Sequence, residues 1–331
     1  MTRTGSHIIT VLLAFVFNAL GLAGGAKELP PDERRFVLMD RFSIKTQPGA
    51  INDSTSCIIP FTRAGNLILI QATADTMQGN FILDTGAPNL VLNITYFRDY
   101  PASQDGEVQT GITGSGSAVQ KTSLGRFSFG SLDYSRIPAD LVNLGHIENS
   151  RGVKILGLIG TELFRQCEMI IDYEKGLIYL HRIGKKESKT YQHEMLGDTS
   201  AYRILPIELK DNRIMVTTEM AGKKLKFVID YAAESNVLDS RLPDKIFDNV
   251  TITRRVVLSG AGDRKVDALY GDLQNMKLGN QDLGTLPILI TNLENTCFSY
   301  AGCVDGVLGF DFLSLHKIGF NFVNRKMYIW K

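Results

Sequence analysis

Two aspartates hold the reactive chemistry of this chain. Asp84 stands in Phe81-Ile-Leu-Asp-Thr-Gly-Ala-Pro, and Asp230 in Phe227-Val-Ile-Asp-Tyr-Ala-Ala-Glu. Each follows an apolar run that reads as a buried strand and precedes small residues that read as a turn. The second copy keeps the lead-in and the acid but has Tyr231-Ala232 where the first has Thr85-Gly86. Two carboxyl groups brought close together cannot both ionise cheaply. Such a pair has one member able to take a proton from water and another able to give one to a substrate. Matching strands that end on aspartates therefore point to paired-carboxylate hydrolysis.

The elements that must position these acids are also repeated. An offset of 146 pairs Asp84 with Asp230, Pro60 with Pro206, Phe81 with Phe227, Ala87 with Ala233, Val91 with Val237 and Leu92 with Leu238. It also pairs Gly114 with Gly260 and Gly116 with Gly262, inside Gly111-Ile-Thr-Gly-Ser-Gly-Ser and Ser259-Gly-Ala-Gly-Asp. Towards the end of each copy the offset is 149, which aligns Gly157-Leu-Ile-Gly-Thr-Glu-Leu-Phe with Gly306-Val-Leu-Gly-Phe-Asp-Phe-Leu and Tyr179 with Tyr328. A three-residue difference means one small loop insertion.

Each copy reads as mostly β. Strands are expected at Asn66-Leu-Ile-Leu-Ile-Gln-Ala-Thr-Ala and Arg213-Ile-Met-Val-Thr-Thr-Glu-Met, turning at Gln78-Gly79-Asn80 or Gly222-Lys223 into the aspartate strands. Further strands are expected around Thr122 to Phe129 and Leu273 to Leu278, with short helices after Gly160 and Gly309. Hairpin turns are expected at Glu174-Lys175-Gly176 and Asn324-Arg325. The polar stretch after Gly184 reads as an exposed linker. The fold class is all-β: two duplicated lobes with a cleft between them, 55–183 and 203–331, joined by 184–202.

An apolar-Asp-Thr-Gly-Ala strand end, a glycine-rich hairpin about thirty residues on and an apolar-Gly run before a short helix together resemble the aspartic proteases, most of all the retropepsin-like branch. The resemblance covers roughly residues 55 to 331. It implies acid-protease-type barrel lobes and a dyad of Asp84 and Asp230 sharing one proton; no cofactor is expected, and cysteines without C-x-x-C pairing and scattered histidines give no metal site. Thr85 is implied to hydrogen-bond across to the other lobe, and Gly86 to let main-chain NH approach the carboxylate. Tyr231 cannot place its hydroxyl where Thr85 does, and Ala232 adds a methyl group where Gly86 has none. Ile112, Thr113, Gly114 and Ser115, with Ser259, Gly260 and Ala261, are implied to form flaps closing over an extended peptide. The runs Ile155-Leu-Gly and Val307-Leu-Gly are implied to pack beneath the aspartate loops. The second aspartate also has a structural reading, as a carboxylate bonded to loop amides.

Composition excludes several other classes. Formal net charge is +1, with both signs scattered along 331 residues, so no nucleic-acid partner is implied. Ile8 to Leu22 is almost wholly apolar, and Ala23-Gly24-Gly25-Ala26 is small and cleavable. Residues 1–26 read as a secretory signal peptide, with a periplasmic or secreted mature protein free of the membrane. A retained anchor would need a longer apolar run. Residues 27–54 are an N-terminal extension, either a propeptide or a tail. Of four cysteines, Cys297 and Cys303 enclose a short loop that a disulfide can close; Cys57 and Cys167 are then a possible long-range pair or free thiols. Asn93-Ile-Thr and Asn249-Val-Thr match the glycosylation sequon, though Asn93 reads as buried. Glu234 is a third carboxylate near the pair and reads as facing solvent.

Three functions are compatible with these residues. The leading one is an exported aspartic endopeptidase, monomeric, acting on a peptide or protein substrate. The second is a non-catalytic peptide-binding relative, suggested by Tyr231-Ala232. The third is a homodimer in which two Asp84 loops meet.

Overall fold

A computed structural model describes residues 55–110, 116–259, 265–294 and 303–331. The expected leader, the N-terminal extension, Cys297 and the expected flap residues Ile112, Thr113, Gly114, Ser115, Gly260 and Ala261 lie outside the described residues.

The protein is all-β, and the duplication is visible strand by strand. In the first lobe the sheet runs Thr62–Ala64, Leu67–Ala74, Met77–Leu83, Gly157–Ile159, Leu90–Asn93, Leu132–Val142, Gly116–Phe129, Ser103–Thr110. In the second it runs Glu208–Lys210, Arg213–Met220, Lys223–Ile229, Gly306–Leu308, Val237–Asp239, Leu286–Thr291, Lys265–Leu273, Val250–Ser259. The orders are equivalent. Each sheet also curls back on itself, through Thr73↔Ser128 in one lobe and Thr218↔Leu278 in the other. Apolar alternation turns one face of each strand inward, and the closed sheets bury it.

A third sheet fastens the lobes together. Its order is Ser56–Pro60, Leu177–Arg182, Cys167–Asp172, Ile318–Asn321, Lys326–Trp330, Tyr202–Pro206. Three strands come from each copy, and the seam is the antiparallel pairing of Met169 with Phe320 and Ile170 with Gly319. One apolar cluster runs through this seam, from Phe81 and Met169 to Phe227, Tyr231 and Phe320.

The length difference arises between the strand after the aspartate and the hairpin: the helix Ile94–Phe97 follows Asn93 directly, four residues separate Asp239 from the helix Asp244–Phe247, and one residue is given back before the hairpins. The hairpins pair as Thr110↔Gly116 and Ser259↔Lys265, so they are already related by 149. Matching the glycines at 146 followed their composition and not their register; Ser259 corresponds to Thr110. The expected strand Leu273 to Leu278 is broken, with Asn275 at positive φ between Lys265–Leu273 and Lys277–Leu278.

The linker is not simply exposed. It packs on the shared sheet, with Leu196 buried beside Tyr202 and Tyr328 and the Tyr191 ring stacked 3.6 Å from His181. Cys303 is disulfide-bonded, but Cys57 and Cys167 are free thiols. Strand Leu177–Arg182 runs between them, pairing Cys57 with Leu180 and Cys167 with Arg182 from opposite sides. That spaces their Cα atoms by on the order of 10 Å, beyond the ~7 Å a disulfide can bridge.

The apolar-Gly runs, expected beneath the aspartate loops, lie beside the aspartate strands as parallel neighbours in the same sheets. Gly157 pairs with Phe81, and Gly306 with Phe227. A Cβ on Gly157 would fall 2.1 Å from the Val91 carbonyl oxygen; on Gly306 it would fall 2.4 Å from that of Val237. Backbone cannot yield there as a side chain could. Gly306→Ala is therefore expected to destabilise the protein by about 3 kcal/mol, measured by denaturant unfolding, and an unchanged midpoint would contradict this packing.

Candidate functional site

The two aspartate loops meet at the seam. Each strand ends by donating the aspartate amide to the neighbouring glycine-run strand, Asp84 to the Ile159 carbonyl at 3.1 Å and Asp230 to that of Leu308 at 3.0 Å. The chain then turns sharply, so that loop amides point back at the carboxylates. Ala87 N donates to Asp84 Oδ1 at 2.8 Å, and Ala232 N to Asp230 Oδ1 at 2.8 Å. Both aspartates are wholly buried, and neither Oδ2 has a hydrogen-bond partner.

Gly86 measures how closely the loops approach. A Cβ there would lie 2.5 Å from Asp230 Oδ2, so only glycine fits. Its amide faces both carboxyl groups. Thr85 ties the same junction: its hydroxyl donates to the Ile229 carbonyl at 2.8 Å and accepts from Tyr231 N at 3.1 Å. The cross-lobe bond expected of Thr85 is present.

The second loop solves its side of the junction differently. In the first lobe Thr161 donates from Oγ1 to the Thr85 carbonyl at 3.1 Å. The positions equivalent to Thr85 and Thr161 are Tyr231 and Phe310. A pair of hydroxyls has become part of an aromatic group, with Tyr231 stacked 6.1 Å from Tyr173, Phe310 edge-on to Tyr173 at 5.7 Å, and Phe320 edge-on to Tyr231 at 6.2 Å. Tyr231 is a wedge behind the pair. Ala232 places its methyl group in the first lobe's apolar cluster beside Ala64, Leu67 and Ile82. The substitutions alter how the second loop is anchored while its aspartate keeps an amide donor.

Electrostatics follow from burial. Asp84 is held well above the usual carboxylate range, first by desolvation and then by the charge of Asp230; the Ala87 and Gly86 amides and Arg213 oppose this. Asp230 is raised by desolvation, against the amides of Ala232, Ala233 and Gly86 and again Arg213. Arg213 was not singled out from the sequence. It opens strand Arg213–Met220, where the first copy has the buried Leu67, and is itself 2% exposed. Its Nε donates to the Gly86 carbonyl at 2.8 Å and its Nη1 to that of Asp211 at 3.4 Å. Burial lowers the guanidinium to about 10, while Asp211, Asp84 and Asp230 hold it up. The signal was available: at the shared offset of 146, a cation replaces a leucine at the head of an apolar strand.

Glu234 does not face solvent. It is buried and ion-paired with Arg151 of the first lobe, whose charge opposes the upward push of desolvation. It forms a second tie between lobes. Asn93 is buried, donating to the Ile155 carbonyl at 3.0 Å and to Glu148 Oε2 at 3.1 Å, so its sequon is internal. Ser259 ends its strand at the edge of the described residues. Among those residues, no three His, Cys, Asp or Glu side chains gather as a metal-ligating group. A cavity of about 740 Å³ is lined by Asn89, Tyr134, Arg136, Pro138, Leu163 and Arg165, with neither aspartate in its lining.

A family model described as aspartyl protease matches residues 216–312. The match supports an aspartyl protease family, and it falls on the second copy, taking in Asp230 and its Tyr-Ala neighbours. Among solved structures, the chain resembles basic 7S globulin from soybean at 10% identity and a TM-score of 0.45, over 83% of this chain and 94% of that one. No curated protein matches the chain.

Two outcomes are expected from this geometry. The Tyr231 hydroxyl is buried without a partner, so Tyr231→Phe should leave thermal stability unchanged or raise it by up to about 1 kcal/mol; a marked loss would mean that the hydroxyl is bonded. A raised folded-state pKa stabilises the fold at low pH, and that contribution is lost as pH rises through it. Asp84→Asn should therefore gain stability relative to the parent as pH rises to 7–8, and the gain should vanish near pH 4. A pH-independent difference in denaturant titrations would contradict the raised proton affinity of Asp84.

Proposed function

We propose that this chain is an aspartic endopeptidase in which Asp84 and Asp230 activate water. The observation that carries the reading is the contact of Gly86 with the Asp230 carboxylate, which unites one acid from each lobe in a single buried site. Two carboxyl groups with raised proton affinity share one proton. The ionised member takes a proton from water as its oxygen attacks the scissile carbonyl, and the protonated member donates to the carbonyl oxygen. Collapse of the tetrahedral species returns a proton to the leaving nitrogen. The pair acts as a unit, so neither aspartate has a fixed acid or base role.

Both lobes contribute, with 55–183 and 203–331 as the two halves and a strand-like peptide between them. One chain supplies both acids and functions as a monomer; the bond from Thr85 to Ile229 occupies the junction that a second Asp84 loop would need. The leader at 1–26 directs the protein out of the cytoplasm, and 27–54 precedes the first lobe. A non-catalytic peptide-binding relative is the second reading, favoured by the aromatic anchoring of Tyr231 and the complete burial of both acids.

The test is cleavage of a mixed peptide library by mature protein, read by mass spectrometry between pH 3 and pH 8. Cleavage is expected, with Asp84→Asn and Asp230→Asn each reducing it at least about a hundredfold. Activity should persist towards neutral pH and fall as the pair loses its last proton. Peptide binding without cleavage at any pH would leave the second reading.

A further inference from the structure

Arg213 has no counterpart in the first copy and no part in the water-activation scheme. Its twin position is Leu67, a fully buried core residue. The second lobe has thus placed a guanidinium where its partner lobe keeps hydrocarbon, at the one point where the two acid loops converge. Burying an arginine is costly unless its charge is balanced and its donors are used.

Resting on the proposed hydrolytic reading, we propose that Arg213 is the positioning residue of the aspartate pair: it holds the Asp84 loop by the Gly86 carbonyl and balances the single negative charge of a pair that keeps one proton. The two parts of this role share one geometry. The Gly86 carbonyl accepts from Arg213 Nε, while the Gly86 amide faces both carboxyl groups and its Cα abuts Asp230. Moving the guanidinium therefore moves the residue that separates the acids.

Charge balance favours one protonation state. One carboxylate and one guanidinium make the buried site neutral. Two carboxylates would leave it a net anion, and two protonated acids would leave it a net cation. The other charged groups nearby are engaged elsewhere. Glu234 is ion-paired with Arg151, and Asp311 faces the Ser235 side chain and the Asn236 amide. Tyr231 and Tyr173 are buried behind the loops. Arg213 is the cation whose field reaches both aspartates.

The test compares Arg213→Leu, which installs the twin residue, and Arg213→Lys, which keeps the charge without the fork, with the parent. The pair is titrated directly by carbon NMR of labelled aspartate carboxyls, a readout independent of catalysis. Alongside it, the pH profile of kcat/KM is measured. Without the cation, ionisation is harder, so in Arg213→Leu the first deprotonation of the pair and the acid limb of the profile should move up by about one pH unit. Arg213→Lys should restore the midpoint but not the full kcat, because the Gly86 tether is weakened. Titration of folded Arg213→Leu coincident with the parent would overturn the proposal. Should Arg213→Leu not fold, a parent-like kcat in Arg213→Lys would overturn the tether, and a midpoint displaced as far as in Arg213→Gln would overturn the charge role. If the parent cleaves no peptide yet the carboxyl titration moves as described, the hydrolytic reading fails and the role of Arg213 stands.

Discussion

The approach of Gly86 to the Asp230 carboxylate is the constraint on which this molecule is built. Two acid-bearing loops from separate lobes must come within van der Waals distance, and everything that meets there is backbone or fully buried. Thr85 bonds across the junction in both directions. Arg213 reaches into it from the second lobe, and Ala232 into the first lobe's apolar cluster. The six-stranded shared sheet keeps this junction in place, because its seam pairs a strand of each copy directly behind the loops. A burial this complete raises the proton affinity of both acids, so geometry and charge state are set by the same contact.

Duplication gave the two lobes one strand order but not one chemistry. The first loop is anchored by hydroxyls, Thr85 and Thr161; the second by rings, Tyr231 and Phe310 against Tyr173 and Phe320. Changing one position of such a pair alone would leave an unpaired hydroxyl or a cavity, each costing about 1–3 kcal/mol or more. Replacing both together preserves packing. The second loop thus departs from Asp-Thr-Gly while still presenting Asp230 with its amide donor, and a degenerate triplet is not by itself a sign of a lost site.

Much of this was legible in the sequence, for identifiable reasons. The aspartate strands, the glycine runs and the strand pairs that follow them announce themselves through apolar periodicity and turn residues, and the repeat doubles each signal. Other features depend on tertiary register and were not legible. Glycine-rich runs match by composition at any nearby offset, so the length difference before them was hidden until pairing fixed Thr110 against Ser259. Glu234 was read as solvated because its partner, Arg151, lies in the other lobe. Arg213 stands at the head of an expected strand, and only its alignment with Leu67 marks it as buried. The polar linker gave no sign that Leu196 would settle on the shared sheet.

The central claim is that Asp84 and Asp230 form one proton-sharing pair. Its most direct test is carboxyl-carbon NMR titration of the folded protein with labelled aspartate, assigned by Asp84→Asn and Asp230→Asn. Two linked steps that both resonances report are expected, at least one far above the ordinary aspartate value of about 3.9, merging into a single step in either variant. Two independent titrations near that ordinary value, each unmoved by removal of the other acid, would contradict it.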